Sequence, residues 1–384
     1  MILTTAKIYC QNIVQNNSND SISISLLTCS PGDEIWAQYG HTAIRIQDKS
    51  KGMDVVINYG MFSSSQPYFI PRFILGLTDY KVDIQSFNDF RNEYTYENRT
   101  VTQQTLNLNF NDKIRIINAI EDNLRPENQT YRYNFFYDNC TSRARDIIVN
   151  NLSGKLRYQR PAIKNCSFRD MIHFWNGRPW AITGEDILLG VNADRNTTKA
   201  EQQFLPENLK IDFELATYKG KPFVTSTNLL VNPDVYIARS NVFPDPGICG
   251  IIIIIITVII TVLEKRKNVI YWGYDLVLMI ISGLIGTILT IMIFSQHPCV
   301  NINFLMFFFN PLSLIFAWSA VKHTREHKKF WYWKVAGRLC IIGFVAAFFQ
   351  SEPSLMLDLA LCLLVRIAMH LRQQRNYAVS SDKK

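Results

Sequence analysis

Two short segments carry residues that could act together on a substrate, one around His41 and the other around Cys140. Cys140 stands just before a run with helical apolar spacing, so its thiol is expected at a helix N-terminus, with Thr141 or Ser142 as the cap. The helix dipole lowers the pKa of a thiol there and favours the thiolate. A nearby imidazole would complete a pair of nucleophile and base. The pattern therefore predicts nucleophilic thiol chemistry.

A cysteine–histidine pair needs a third group that fixes the tautomer of the imidazole. Asn58 lies on the strand that is expected to pair with the His41 strand, and it is our first choice. Tyr59 and Asp138 are the alternatives. Further candidates for the same site are Tyr39, Arg143 and Arg145, of which the two arginines would favour the thiolate by charge.

Cys29 is a rival nucleophile, but it lies in a Ser-Pro-Gly turn without an obvious helix dipole. A place in the core, or a disulfide with Cys166 in an oxidising compartment, is the alternative role for Cys29. The spacing of the cysteines does not establish their pairing. A single cysteine or histidine is also more often structural than catalytic, so a purely structural role for Cys140 and His41 stays open.

The strands and helices that are expected to position these residues form an α+β domain, which extends to about Asp245. Alternating apolar residues indicate strands, and apolar residues at helical spacing indicate helices. The predicted strands are Ser21–Leu27, His41–Ile46, Asp54–Tyr59, Val101–Leu108 and Phe223–Val231, and the predicted helices are Asn109–Leu124 and Thr141–Leu152.

Beyond Pro246 the chain is dominated by apolar runs, which predict an all-α bundle of about five transmembrane helices because one span needs about 20 residues. The runs lie near residues 247–263, 271–294, 304–320, 330–350 and 353–370. Lys and Arg are concentrated in alternate connections, which places those connections and the C-terminus in the cytoplasm. The net charge of +8 owes much to these residues and is no evidence for nucleic-acid binding.

Three parts are therefore predicted: an N-terminal tail at 1–20, an extracytoplasmic domain at 21–245 and a transmembrane domain at 246–384. Residues 1–20 contain no apolar core of a signal peptide and resemble the remnant of a signal region. We expect the coding sequence of a signal peptide upstream.

Several further residues are open to two interpretations. His297, Asn301 and Asn303 occupy a short outer loop, where they would either assist transfer or form a structural turn. Asp358 lies within the fifth apolar run, where an ionisable side chain indicates a function by default. The apolar segment Gln66–Leu75 predicts a lid, a lip that touches the bilayer, or an ordinary part of the core. The sequence contains no metal-ligand cluster and no nucleotide fingerprint, so we expect no metal and no cofactor.

The order of these elements resembles circularly permuted papain-like thiol enzymes, including lecithin:retinol acyltransferase-like proteins. It is more similar still to the lipoprotein N-acyltransferases of the Lnb type. The motifs that carry this second resemblance are Leu27-Thr-Cys-Ser-Pro-Gly-Asp, Tyr39-Gly-His-Thr-Ala-Ile-Arg, Asn58-Tyr-Gly, Pro71-Arg-Phe-Ile-Leu-Gly, Tyr131-Arg-Tyr-Asn-Phe-Phe-Tyr-Asp-Asn-Cys, Ser295-Gln-His-Pro, Asn301-Ile-Asn and Asn310-Pro-Leu.

The resemblance implies an enzyme of the bacterial inner membrane with its N-terminal domain in the periplasm. It would take an acyl chain from a phospholipid, hold it as a thioester on Cys140, and transfer it to the N-terminal amine of a lipidated lipoprotein. Cys140, His41 and Asn58 would be its catalytic residues.

Two other classes of function stay open. One is a membrane-tethered Cys–His peptidase or amidase of the cell wall, which would use the same pair in a polar groove. The other is a non-catalytic membrane receptor in which Cys140 is structural. Cleavage of murein would favour the first class, and a Cys140→Ser variant without any effect would favour the second.

Overall fold

The computed structural model describes residues 20–63, 67–233 and 244–381, which form two compact units. The first unit combines the described residues up to Cys166 with those from Asn196 to Pro233. The second combines Ser167–Arg195 with the described residues from Pro244 onward. The predicted tail at 1–20, apart from Asp20, and the C-terminal Lys384 lie outside the described residues.

One predicted domain boundary differs from the structure. The sequence predicted a single domain over 21–245, but Ser167–Arg195 belongs by its contacts to the second unit. The backbone N–H groups of Gly190 and Val191 donate to carbonyl groups within residues 299–302, at 2.8 and 2.9 Å. These backbone partners lie more than a hundred positions further along the chain, where no local pattern in the sequence could reveal them.

The elements before residue 234 alternate irregularly between short strands and helices. The strands are β1 (Ile22–Cys29), β2 (His41–Asp48), β3 (Met53–Met61), β4 (Asp79–Ser86), β5 (Val101–Leu106), β6 (Thr130–Arg132), β7 (Leu156–Arg157), β8 (Thr217–Tyr218), β9 (Lys221–Pro222) and β10 (Val224–Val231). The helices are α1 (Phe69–Ile74), α2 (Phe87–Tyr96), α3 (Phe110–Leu124), α4 (Cys140–Asn150), α5 (Phe168–Trp175), α6 (Pro179–Leu188), α7 (Lys199–Gln202) and α8 (Pro206–Leu215).

The first unit is built on an antiparallel seven-stranded sheet with the order β10-β5-β1-β2-β3-β4-β6. Alternate residues of each strand point to opposite faces, and both faces are buried near the centre. Leu26 and Ile44 are in the core that includes residues of α3 and α4, whereas Leu27 and Ala43 pack in the core that includes Phe90 of α2. The predicted combination of a sheet and helices in the N-terminal domain is confirmed.

The second unit is helical. Besides α5 and α6 it contains a 3₁₀ turn (Phe304–Phe307), α9 (Pro246–Lys267), α10 (Trp272–Met292), α11 (Leu312–Ile315), α12 (Ala317–Arg325), α13 (Tyr332–Ala346) and α14 (Ser354–Ser381).

Three helices in the described part of the chain are long and apolar enough to cross a bilayer: α9, α10 and the portion Ser354–Arg375 of α14. The pieces 304–315 and 317–325 meet at 68° and could form one more span. Helix α13 has 15 residues and is about 22 Å long, less than a hydrocarbon core of about 30 Å. The structure thus supports three to four candidate spans, where the sequence predicted about five.

A buried ion cluster joins three helices of the second unit. The Arg366 guanidinium of α14 binds both carboxylate oxygens of Asp275 on α10, at 2.5 and 3.0 Å. It also binds Glu264 near the end of α9, and His370 Nε2 lies 2.8 Å from Asp275. Each of the four residues is at most 3% exposed. Since buried charges must be paired, the cluster aligns α9, α10 and α14.

Candidate functional site

Cys140 is the first residue of α4, as its position before the apolar repeat predicted. The cap differs from the prediction of Thr141 or Ser142. Asn139 precedes the helix in extended conformation, and its side chain accepts hydrogen bonds from the N–H groups of Thr141 and Ser142. The Ser142 hydroxyl accepts in return from the Asn139 N–H and completes a capping box. This rigid start of α4 holds the thiol in place.

His41 begins β2, and Asn58 lies on the neighbouring strand β3. His41 Nε2 lies 3.1 Å from Asn58 Oδ1, and the imidazole also acts on the Cys140 thiol, whose pKa it lowers. The Asn58 oxygen can only accept, so Nε2 carries the proton and Nδ1 is left to receive the thiol proton. The structure thus brings the three predicted residues together in the arrangement expected of a nucleophile, a base and an orienting amide.

The environment of Cys140 favours its thiolate. Burial alone would raise the pKa of the thiol, but the charge and hydrogen bond of His41 outweigh it. Hydrogen bonds from the Thr42 N–H and the Thr141 hydroxyl act in the same direction, and the pKa falls to about 7. For His41, burial lowers the pKa, but the Cys140 charge and the bond to Asn58 raise it above its ordinary value. The pair is therefore poised as thiolate and imidazolium near neutral pH.

Gly60 and Tyr131 border the thiol, although the sequence pattern singled out neither as a site residue. A β-carbon on Gly60, whose φ is +84°, would lie 3.4 Å from the Cys140 β-carbon and 3.9 Å from the Tyr131 hydroxyl. Glycine thus keeps the space beside the thiol open. The Tyr131 hydroxyl is buried, and within the described residues it has no hydrogen-bond partner of good geometry. The Gly60 N–H acts as a donor on the phenol oxygen, so the phenol O–H is left to donate to a substrate oxygen beside the nucleophile.

The other candidates near the site have structural partners. The Arg143 guanidinium pairs with Asp138 at 2.6 and 2.8 Å and lies 3.4 Å above the Tyr131 ring. Asp138 is thus engaged by an arginine, and the Tyr59 hydroxyl accepts from Asn123. The Tyr39 ring contacts that of Phe135 at 5.3 Å, and Arg145 binds Asp146. Of the three groups considered as orienter, Asn58 is the one bonded to His41.

Cys29 and Cys166 are both free thiols in the structure, so the disulfide considered between them is not formed. Cys29 is the last residue of β1, opposite His41 on β2, and it is 1% exposed. Burial raises the pKa of its thiol to about 12, which makes it a poor nucleophile at neutral pH. The end of β1 places Cys29 in the core, since the strand extends two residues beyond its predicted end at Leu27.

The remaining candidates belong to the second unit. Asn303 caps the 3₁₀ turn and donates to the carbonyl groups of Ile187 and Leu189. The Asn301 side-chain oxygen is buried without a partner in the described part of the chain, and burial lowers the pKa of His297. Asp358 packs against Gly250 of α9. Among the described residues no group of three or more His, Cys, Asp or Glu could hold a metal ion.

Comparisons with known families agree with the two-part organisation. The model of the Lnb N-terminal periplasmic domain matches residues 9–172, and the model of the Lnb transmembrane domain matches residues 238–377. Neither a curated protein nor a solved structure matches the chain, so the likeness to a permuted papain-like fold stays a prediction. The two matched domains cover most of the chain in the expected order, with the site inside the first. The protein is a membrane protein with a periplasmic N-terminal domain, and it belongs to the Lnb family.

Proposed function

We propose that the protein is a lipoprotein N-acyltransferase, which moves an acyl chain from a phospholipid through Cys140 to the N-terminal amine of a lipidated lipoprotein. The observation that carries the proposal is the Cys140–His41–Asn58 arrangement, with the thiol pKa near 7, inside a periplasmic domain of the Lnb family. The candidate spans support it as well, because they hold the domain at the interface where both substrates reside.

In the first step His41 Nδ1 holds the thiol proton, and the Cys140 sulfur attacks the ester carbonyl of the phospholipid. The resulting tetrahedral intermediate collapses as the ester C–O bond breaks. The imidazolium gives its proton to the leaving alcohol oxygen, which departs as the lysophospholipid. The enzyme then carries the acyl chain as a thioester.

In the second step the neutral amine of the lipoprotein attacks the thioester carbonyl. His41 takes a proton from the nitrogen, the C–S bond breaks, and the sulfur leaves as a thiolate paired with the imidazolium. The product is an N-acyl amide, and the enzyme returns to its starting protonation state. The α-amino group must be unprotonated to attack, so this step should quicken as the pH rises through roughly 7.7–8.0.

The oxyanion of both steps needs hydrogen-bond donors that are not already used. The N–H groups of Thr141 and Ser142 already donate to the Asn139 side chain, so these two groups are not available to the oxyanion. The Cys140 N–H has no acceptor among the described residues, and the Tyr131 hydroxyl has no partner of good geometry there either. We assign these two donors to the oxyanion.

We further propose that the enzyme lies in the bacterial inner membrane with its C-terminus in the cytoplasm, and the Lys- and Arg-rich connections support this orientation. In this arrangement the periplasmic domain meets both the phospholipid donor and the lipoprotein acceptor at the outer surface of that membrane.

The reaction is tested with the full chain reconstituted in vesicles that contain a phospholipid with labelled acyl chains. Without acceptor, Cys140 should accumulate a labelled thioester that neutral hydroxylamine releases. A lipopeptide with a free N-terminal cysteine amine should then gain the label as an amide. Cys140→Ala should abolish labelling, whereas the matched control Cys29→Ala should keep it.

Each other outcome supports a different interpretation. Hydroxylamine-sensitive label on Cys29 would show that the nucleophile is wrongly assigned. Cleavage of murein peptides without any acyl-enzyme would favour the peptidase or amidase. Neither label nor cleavage, with a Cys140→Ala variant that behaves as the wild type, would favour a non-catalytic receptor.

A further inference from the structure

An exposed apolar surface lies on the first unit, formed by the 3₁₀ turn Ile35–Ala37, the end of β3 and α1. We call it the aromatic lip and define it by five exposed side chains: Ile35, Trp36, Met61, Tyr68 and Phe73. Their exposed fractions range from 37% for Met61 to 81% for Tyr68. The lip includes part of the apolar segment Gln66–Leu75, for which the sequence predicted a lid, a contact with the bilayer or an ordinary part of the core. The first residue of that segment, Gln66, lies outside the described residues.

The pieces of the aromatic lip are joined by ring contacts. The Trp36 ring meets Phe62 edge to face at 5.8 Å between centroids, and Phe62 stacks on Phe69 at 5.7 Å. Phe69 in turn stacks on Phe73 at 6.2 Å. The turn after β1, the end of β3 and helix α1 therefore form one continuous apolar surface.

Two chain segments lead from the aromatic lip directly into the candidate site. Gly60, which borders the Cys140 thiol, is followed by Met61 of the lip. On the other side the Gly40 N–H donates to the Ala37 carbonyl at 3.0 Å, and His41 is the next residue. A molecule bound on the lip would thus lie next to the residues that border the thiol.

The size and composition of the aromatic lip indicate a lipid surface. Five large side chains expose roughly several hundred Å² of apolar area, and an apolar patch of this size commonly marks a site of contact with a protein or a membrane. Aromatic side chains with a polar tip, such as Trp36 and Tyr68, favour the boundary between hydrocarbon and water. Arg72 of α1 pairs with Asp79, whereas Asp33 and Glu34 lie exposed before Ile35. Both signs of charge flank the lip, so apolar insertion rather than net charge would hold it.

The chain connects the unit that carries this surface to a candidate membrane span. The first candidate span begins at Pro246, and β10 ends at Val231. The first unit is therefore joined through a short stretch of sequence to a helix that is long and apolar enough to cross a bilayer.

We propose that the aromatic lip inserts into the periplasmic surface of the bilayer and guides a phospholipid acyl chain to Cys140. The insertion stands independently of the reaction, whereas the delivery of the acyl chain rests on the proposed function.

The insertion is tested by photocrosslinking in the full chain, reconstituted in phosphatidylcholine nanodiscs. p-Benzoylphenylalanine is placed at position 36 or, as a matched control, at position 229, because Leu229 is 53% exposed on the edge strand β10. Irradiation should produce phospholipid adducts at position 36 and none at position 229. Crosslinks to protein alone at position 36, or equal lipid adducts at both positions, would overturn the insertion.

The delivery is tested by kinetics with the donor in vesicles. Trp36→Ser should raise KM for the vesicle donor about tenfold, the effect of losing roughly one buried aromatic contact, with a smaller effect on kcat. Leu229→Ser is the control, and alkylation of Cys140 by soluble iodoacetamide checks that the variant is folded. An unchanged KM would overturn the delivery.

The two proposals fail in different ways. Lipid adducts at position 36 without any acyl-enzyme on Cys140 would keep the insertion and reject the acyl transfer. An acyl-enzyme on Cys140 without lipid adducts at position 36 would keep the acyl transfer and reject the aromatic lip.

Discussion

Two histidines of this protein make side-chain hydrogen bonds of opposite kinds. His370 in the second unit bonds the Asp275 carboxylate, which Arg366 also binds, and its ring stacks on Trp333 at 3.8 Å. His41 in the first unit bonds the neutral amide of Asn58, and its second nitrogen is left for the Cys140 thiol. The first is part of a buried ion cluster, and the second shares a proton with the thiol.

The difference teaches how these polar groups divide between stability and chemistry. In the second unit every charge of the cluster meets an opposite charge inside a buried space, which suits a cluster that holds helices together. In the first unit a neutral orienter leaves the thiol as the only anion for His41, so the proton can move between them. Each variant described below removes a group from the Cys140 site or from the ion cluster.

The largest effect is expected from removal of the reacting groups. Cys140→Ala and His41→Ala should each lower acyl transfer by on the order of a thousandfold or more, because neither group works alone. The double variant should be no worse than the poorer single variant. Rates of N-acylation of a lipopeptide by the full chain in vesicles measure this. A double variant far below both singles would show that the two residues act independently.

Removal of the central cation should damage the second unit. Arg366→Met leaves Glu264 buried without its cation and leaves Asp275 with His370 alone as its partner in the cluster, which should destabilise the protein by about 3–5 kcal/mol. The unfolding midpoint in detergent should fall, whereas the exposed control Lys334→Met should leave it unchanged. Equal midpoints for both variants would show that the cluster is not a structural element.

The assigned oxyanion donor should matter less than the reacting groups. Tyr131→Phe removes one hydroxyl, so kcat should fall about tenfold to a hundredfold while KM changes little. Tyr80→Phe is a matched control, since Tyr80 is also a buried tyrosine and lies opposite Tyr131 on β4. A loss of kcat that is equal in both variants would mean that the effect comes from packing.

Much of the first unit could be predicted from local patterns. Alternation located β1, β2, β3 and β10, and the predicted hairpin brought Asn58 onto the strand beside His41. The position of Cys140 before an apolar repeat located the start of α4. Local signals suffice here because each depends on residues within one or two neighbouring elements.

The rest depends on contacts between distant parts of the chain. Tyr131 became a candidate only when β6 was seen to bring it beside Gly60. The sequence pointed to Asp358, but the buried charges of the second unit include Glu264, Asp275 and Arg366, which pair across about a hundred positions. Composition shows that charges lie among apolar residues, but it does not show which of them meet.

The titration of the thiol sharpens the comparison further. Alkylation of Cys140 by iodoacetamide should increase with pH around a midpoint of about 7, since only the thiolate reacts. In His41→Ala the burial of the thiol is opposed only by the hydrogen bonds from Thr42 and Thr141, so the midpoint should rise well above 7. Alkylation followed by mass spectrometry of the Cys140 peptide measures both. A midpoint that does not move would remove His41 from contact with the thiol.

The smallest effect is expected from the orienting amide. Asn58→Ala removes one neutral hydrogen bond to His41, worth about 0.5–1.5 kcal/mol, so the pKa of His41 should fall by roughly one unit or less. A less basic His41 stabilises the thiolate less, so the alkylation midpoint of Cys140 should rise by a comparable amount. Asn58→Gln keeps the amide at a different length and should restore part of the effect if the bond orients the ring. A midpoint unchanged in Asn58→Ala, together with a normal acyl-transfer rate, would reduce Asn58 to a residue of the sheet. The neutral partner would then not be what distinguishes His41 from His370.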